Sequence, residues 1–459
     1  MRPDSPPKLT RPMIRVEAIR QPQRFIADPV AWDRLAAGVP FRRHAWLATW
    51  WRHFGQYESS IWLHATDESG STVGLMPFMR RDTFEMVLPG QQALQWYGDG
   101  GVCSDHLAPL IAPGRVTDVA TAMAKHLCEH ADHPETRWTR LIMDGIACGD
   151  PASKAFLNAL VDENASVHLS QRFHLWFNPV RSSWDDYIGA HSKRRRSLIR
   201  QMLRRLDEDP RWRIETASNT QQVDRFLDAM IRLHQRRWIS RGEHGTYCCR
   251  AVIEFARDAA QRLLIADQLY LVALHHEDRI VAVEFHLKGS DQRLYCYSTG
   301  VDHQHPDSVG TMLNYHTLRK CHQDGWSGVD YLRGDEDYKV RLKAQPIPLL
   351  KANVFAPTRS ARRWERIWKT GTWLKSHARR CRRRAAVHTL SLSDAFDGDH
   401  PLLPSPEALA NAASCKPQEQ GSQPIETPRD PNGDPEQPKA IALTLPATGT
   451  SATCDSSYV

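Results

Sequence analysis

The chain has 459 residues, 41% of them hydrophobic and 25% charged, enough for two cores of ordinary size plus tails. Its formal net charge is +7, unevenly distributed, and its 15 Trp are spread along the chain rather than bunched in one repeat. Ten Cys occur without a CxxC pair or a Cys/His metal spacing, so reduced thiols and no metal centre are expected. The N-terminus lacks the apolar core of a signal peptide, and no stretch approaches the roughly 18 to 20 apolar residues of a membrane span. A soluble, cytoplasmic protein is expected.

In chain order, residues 1–12 are Pro-rich and read as a loose arm. From 13 to 177 short strands and helices alternate. The stretch 41–55, "FRRHAWLATWWRHFG", predicts an amphipathic helix with Trp46, Trp50 and Phe54 at spacing four. Residues 59–82 read as two strands around an Asp-Glu-Ser-Gly turn, and 94–111 as a Gly-rich loop running into a strand.

A second unit spans 178–357. Residues 183–209 predict one long helix with Ser183 as cap and Asp185 and Asp186 in the first turn. A second helix closes at Gly242, and a third covers about 250–265. Three antiparallel strands follow, then a helix from Val309 to His322 and two more strands. Helices packed on a mixed sheet, an α/β (α+β) arrangement, bury these faces most economically. Residues 358–390 form a basic, Trp-bearing segment. From 391 to 459 the composition turns to Pro, Ser, Glu, Asp and Thr, as in a disordered tail.

The chemistry gathers at 326–342, "WSGVDYLRGDEDYKVRL", where an apolar strand runs straight into a charged loop. Asp330 or Glu336 can act as a proton acceptor if the surroundings raise the carboxyl pKa. A solvated loop with a local ion pair is the other reading. His234 and Trp238 are four apart on one helix, as are Arg237 and Arg241. His234 therefore either enters a cleft or packs against Trp238 at the core edge. Strand alternation puts Ala282, Glu284 and His286 on one face, as acid–base or substrate groups or as a solvated surface. "HPDSVGTMLNYHTL" opens a helix with Ser308 as candidate cap and Gly310 allowing close backbone approach, and free N–H groups there attract anions. The basic run 193–205 has an apolar stripe at Leu198, Met202 and Leu206, which favours a solvated helix face over nucleic-acid binding.

Three stretches, "RLHQRRWISRG", "DSVGTMLNYHTLRKCHQDGWSGVDYLRGDEDYKVRL" and "AWLATWWRHFG…VGLMPF…YGDGGVCSDHLAPLI", together resemble the double-domain, FemAB-like branch of the GNAT acyltransferases. Within it they are most similar to CelD-type acetyltransferases linked to cellulose or exopolysaccharide synthesis. The resemblance covers about 14–357 and implies two tandem GNAT-like domains, 13–177 and 178–357, with the active cleft in the second. It implies an acetyl-CoA or other acyl-CoA donor received at Ser308, Val309, Gly310 and Thr311. "GDEDYK" matches the Gly-x-x-x-aromatic-Lys motif of the branch, which implies Lys339 at the reacting carbonyl and Tyr338 in the pocket wall. An oxyanion built during acyl transfer would gain from such a cation. Arg237, Trp238, His286 and Arg333 are then candidate acceptor contacts.

The implied acceptor is an amine or hydroxyl of a sugar, envelope precursor or exopolysaccharide-related compound. Two readings compete with it: aminoacyl-tRNA-dependent transfer, and an inactive scaffold held at the inner membrane by 359–384. Residues 359–384 can lie on anionic lipid or fold back onto the body.

Overall fold

A computed structural model describes residues 13–20, 23–55, 60–81, 91–98, 101–381 and 388–396. The expected arm, 1–12, and the tail beyond 396 lie outside the described residues.

The first unit opens with β1 (Arg15–Ile19) and two short helices, α1 (Gln23–Ile26) and α2 (Pro29–Asp33). Next come α3 (His44–Trp50), β2 (Ser60–Thr66), β3 (Thr72–Arg81), β4 (Ala93–Trp96) and β5 (Leu110–Ile111). Then α4 (Val116–Glu129), β6 (Arg140–Ala147), α5 (Pro151–Asp162) and β7 (Ser166–Pro179) complete it. The helix predicted over 41–55 is α3 followed by one wide turn, with Trp46 and Trp50 in the core as their spacing requires.

The second unit begins with two helices where one was predicted, α6 (Trp184–Gly189) and α7 (Lys193–Glu208). Ser183 caps the first, bonding Asp186 N–H, and Ser192 caps the second through Arg195 N–H. A second capping serine three residues past Gly189 restarts the helix rather than continuing it. β8 (Trp212–Thr216), α8 (Thr220–Ile239), α9 (Arg250–Ile265), β9 (Leu269–His276), β10 (Arg279–Lys288) and β11 (Arg293–Val301) follow. They lead to α10 (Val309–Asp324), β12 (Gly328–Arg333), α11 (Asp337–Arg341) and β13 (Gln345–Phe355). Last come α12 (Arg359–Cys381), β14 (His388–Leu390) and α13 (Leu392–Phe396). Residues 391–396, placed by composition in the tail, are packed: Ala395 and Phe396 are buried.

The fourteen strands among the described residues form one mixed sheet in the order β1-β2-β3-β4-β6-β13-β7-β12-β11-β10-β9-β8, with β5 on β3 and β14 on β7. The two units repeat one plan, and each sends its last strand into the other. β13 pairs with β6 of the first unit, while β7 pairs with β12 of the second. β7 and β13 then pair with each other along 11 residue pairs at the centre, Gln345↔Phe177 to Phe355↔Ser166. The boundary expected at 177/178 therefore falls inside β7.

Each face of this sheet carries a core. One is continuous across both units and holds Trp46, Trp62, Phe255, Phe285 and Tyr295. The other lies under α6, α7 and α10 and holds Tyr187, Ile199, Leu294, Met312 and Tyr331. α12 folds back through one side only: Trp368 meets Phe355 at 5.5 Å and His168 at 5.2 Å, and Glu365 bonds His168 at 2.8 Å. No helix among the described residues is long and apolar enough to cross a membrane.

Candidate active site

β11 and β12 run parallel, but they pair only over Arg293↔Gly328, Leu294↔Val329 and Tyr295↔Asp330. Beyond that point they separate. β12 turns toward β7 through an irregularity between Asp330 and Arg333, where Leu332 sits at φ +55° and Asp330 Oδ1 accepts its N–H at 2.8 Å. β11 carries a bulge of its own, since Phe285 faces Ser298 and His286 faces Cys296, leaving Tyr297 as the extra residue. A bulge takes its extra residue out of the ladder and frees its backbone groups for other partners. The result is a wedge between Cys296–Val301 on one side and the 333–338 loop on the other. Bulges recur next to active sites.

The first unit buttresses the wedge. Tyr297 donates its hydroxyl to Val102 O at 3.0 Å, and its ring lies 4.8 Å from Trp46. From the second unit, Tyr247 hydrogen-bonds Ser298 in the strand's half-buried stretch. On the opposite wall the Tyr338 ring stands edge-on to Tyr331 at 6.0 Å. Burial, with Cys296, Glu336 and Glu284 adding to it, pushes the Tyr338 phenol well above its usual range, so it keeps its proton at neutral pH. Arg237 stands close enough to feel the charges of Tyr338 and Glu336, and its Nε has no hydrogen-bond partner. Glu336 is half exposed at the side chain and pairs with Lys339 at 2.9 Å.

At the wedge mouth α10 begins. Ser308 makes no capping bond, contrary to expectation, and Val309 turns its N–H to Asp307 O at 2.8 Å while its side chain is buried. The amides of Gly310 and Thr311 lie in the first turn, where a helix supplies no acceptor. Gly310 has a reason of its own in the protein: a Cβ there would come within 2.9 Å of Val301 Cγ2, so glycine lets the helix start pack on the end of β11.

Several predicted site residues take other roles. Lys339 is 1% exposed, and its ammonium donates to the carbonyls of Leu332, Arg333 and Gly334 at 3.2, 2.8 and 2.9 Å. With Glu336 as a fourth partner it clamps the loop and does not project into the wedge. Gly334 serves the clamp, since its φ of +111° suits glycine and a Cβ would strike the Glu336 carboxylate at 2.6 Å. Asp330 is fully buried and bonded to His106 at 2.9 Å; it is held low as a carboxylate and does not reach the wedge. Arg333 is taken by Asp105 at 2.6 Å, so it is no acceptor contact.

His234 uses both ring nitrogens, on Gln235 at 3.2 Å and on Trp238 Nε1 at 2.9 Å, and burial lowers its pKa to about 4. It supports Tyr247 at 5.0 Å instead of entering the cleft, and Trp238 is its packing partner. Glu284 and His286 do share a face, but that face is buried under α10. His286 lies 2.9 Å from Glu284 Oε2, which also accepts Thr317 Oγ1 at 2.7 Å. Of the catalytic candidates, Tyr338 and Glu336 border the wedge, together with Arg237.

Sequence reasoning missed the seam that aligns the two units. His106 meets Asp330 across it; inside the first unit His106, at φ +57°, accepts Arg42 Nε–H on its carbonyl at 2.5 Å, and Arg42 also pairs with Asp150 at 2.5 Å. Lys351 reaches Asp144 at 3.1 Å across the same seam. The "CSDHLAPLI" stretch was read as a Gly-rich loop running into a strand and as part of the family resemblance, with no role for Asp105 or His106; those two polar residues beside apolar ones were the available signal.

Residues 192–340 match the family model of the acetyltransferase (GNAT) domain. This GNAT-matching segment contains the wedge, α10 and Tyr338. No curated protein matches the chain. Among solved structures, a conserved protein of unknown function from Bacteroides thetaiotaomicron VPI-5482 is 15% identical over 75% of this chain and 100% of its own, with a TM-score of 0.46. L-PGS from Bacillus licheniformis is 12% identical over 64% of this chain and 83% of its own, TM-score 0.40. A tandem GNAT protein from the clavulanic acid biosynthesis pathway is 13% identical over 75% and 100%, TM-score 0.38.

Proposed function

We propose that the protein is an acyl-CoA-dependent N- or O-acyltransferase whose donor lies in the β11–β12 wedge, with acetyl-CoA as the donor to test first. The observation that carries this reading is the early end of β11–β12 pairing beside the Tyr297 bulge, inside the segment that matches the GNAT domain. In the transfer, the acceptor's nitrogen or oxygen attacks the thioester carbonyl, a C–N or C–O bond forms, and the C–S bond breaks. The acceptor's proton leaves toward Glu336, directly or through water. Backbone groups at the bulge face the developing oxyanion, the role first assigned to Lys339. Tyr338, held neutral, gives its proton to the departing thiolate and regains one from solvent. The Gly310 and Thr311 amides face the donor's phosphates. Arg237 meets the acceptor, an amine or hydroxyl on a sugar, envelope precursor or polysaccharide-related compound.

Calorimetric titration of the full chain with acetyl-CoA and longer acyl-CoAs tests the donor. Saturable binding is expected; no binding, together with retention of an aminoacyl-tRNA, overturns it.

A second, compatible reading concerns α12. Ile367, Trp373 and Leu374 are 43%, 57% and 56% exposed on a basic helix, which suits peripheral contact with anionic lipid. Co-sedimentation with vesicles containing phosphatidylglycerol, lost in Trp373→Ser/Leu374→Ser, is the expected result.

A further inference from the structure

Away from the wedge, beneath the start of α7, two buried side chains carry polar atoms with no partner. His191 is 5% exposed and Tyr315 is fully buried, yet His191 Nε2 and the Tyr315 hydroxyl make no hydrogen bond. Their rings face each other edge-on at 6.2 Å. Orphaned buried polar atoms are costly, on the order of 1 to 3 kcal/mol each, and call for an explanation.

Four cations stand around the same place on three stretches of chain. Arg195 lies one helical turn beyond His191 on α7. Arg341 and Lys343 flank Leu342, whose carbonyl accepts Tyr187 Oη at 2.7 Å and Asn178 Nδ2 at 2.5 Å. Tyr187 in turn meets His191 edge-on at 5.1 Å. Arg181, at the end of β7, donates its N–H to His322, whose ring lies 5.7 Å from Tyr187. The charges of Lys343, Arg195 and Arg181 act on His191, and those of Arg195 and Arg341 on Tyr315. Elsewhere on this face arginines have carboxylate partners, as Arg205 with Asp307 and Arg319 with Asp207. None of the four cations here forms an ion pair among the described residues.

We propose that this cluster is a binding site for a phosphoryl group, with His191 Nε2–H and the Tyr315 hydroxyl donating to its oxygens and Arg181, Arg195, Arg341 and Lys343 neutralising it. A phosphoryl dianion fits better than a carboxylate, because it offers three acceptor oxygens and twice the charge to this many donors. Burial, with Lys343, Arg195 and Arg181 adding to it, lowers the His191 pKa to about 4, so the imidazole is neutral and one ring nitrogen carries a donating proton. The first turn of α7 adds positive potential beside it. The site does not depend on the transfer chemistry proposed above.

The test is calorimetry of the full chain with inorganic phosphate, and with acetate as the carboxylate control. Phosphate should bind saturably and acetate should not. Arg195→Gln and Tyr315→Phe should each weaken phosphate by about tenfold or more, while Lys125→Gln, on the remote α4, should leave it unchanged. Tyr315→Phe should also keep or raise the melting temperature while abolishing its rise with phosphate, which a folding defect would not do. Glucosamine 6-phosphate against glucosamine, and coenzyme A against its 3′-dephospho form, then separate the sources. A phosphate-dependent gain in the first pair assigns the site to the acceptor, in the second to the donor, and in neither to free phosphate. Absence of phosphate binding, or an equal loss in Lys125→Gln, overturns the proposal.

Discussion

His106 Nε2 stands 2.9 Å from Asp330 Oδ2, although 224 positions separate the two residues. Asp330 is fully buried where the first unit meets the second. Burial alone would push its carboxyl up, but His106, the Arg293 charge and the Leu332 N–H outweigh it and hold it below the usual range. Its folded pKa is therefore below the unfolded value of about 3.9. The stability it contributes is present above about pH 4 and is lost as pH falls through the folded value. Asp330→Asn should cost about 3 kcal/mol near neutrality and flatten the acid limb of a urea-unfolding series. An acid limb parallel to the wild type's would exclude Asp330 as its source.

Lys339 gives a sharper contrast between two roles. A catalytic lysine replaced by Met would leave the melting temperature in place. The clamp on Leu332, Arg333 and Gly334 predicts instead a loss of about 2 to 3 kcal/mol, from carbonyls left buried without donors. Differential scanning calorimetry of Lys339→Met decides this before any activity is measured.

Tyr338→Phe should behave oppositely. Its hydroxyl makes no hydrogen bond among the described residues, so stability should stay within about 0.5 kcal/mol. Transfer to a competent acceptor should fall by about a hundredfold or more, with acetyl-CoA affinity retained. Equal rates in the two proteins would remove Tyr338 from the chemistry.

Gly310 invites a bulky substitution as a probe of donor binding, but the structure warns against that use. A Cβ there meets Val301 at 2.9 Å, so Gly310→Ala should lower the melting temperature by itself. Gly310→Ala with Val301→Ala should recover most of the loss. Failure of that rescue would place the strain elsewhere.

Neither unit should fold alone. A fragment of residues 178–357 lacks β7, which leaves β12 and β13 without their shared neighbour. A fragment of 13–177 lacks β13 and leaves β6 open. Both should be protease-sensitive with little native circular dichroism signal, and co-expression of the two should restore a resistant complex. A cooperative melt from either fragment alone would contradict this.

Local pattern carried much of the second unit. The short apolar runs of β9, β10 and β11, buried on both faces and bounded by polar turns, and the helical periods of α8 and α9 were readable locally. The break at Gly189 to Ser192 was not, since α6 and α7 share a single apolar stripe across it. Lys339 was placed in the site by its match to the Gly-x-x-x-aromatic-Lys motif, and a lysine beside a strand end reads the same whether it faces a cleft or its own loop. Only the path of the 332–334 carbonyls decides between them. Asp105 with Arg333, 228 positions apart, and the exchange of β7 and β13 are contacts that no local window contains.

The exchanged strands also set a timetable for synthesis. On the ribosome, β6 emerges about two hundred residues before its partner β13, so the first unit must wait with an open sheet edge until residue 355 has left the exit tunnel. An exposed edge of that kind pairs readily with other chains. The growing chain therefore depends on chaperone cover, or on slow translation through the second unit, more than two independent domains of the same length would.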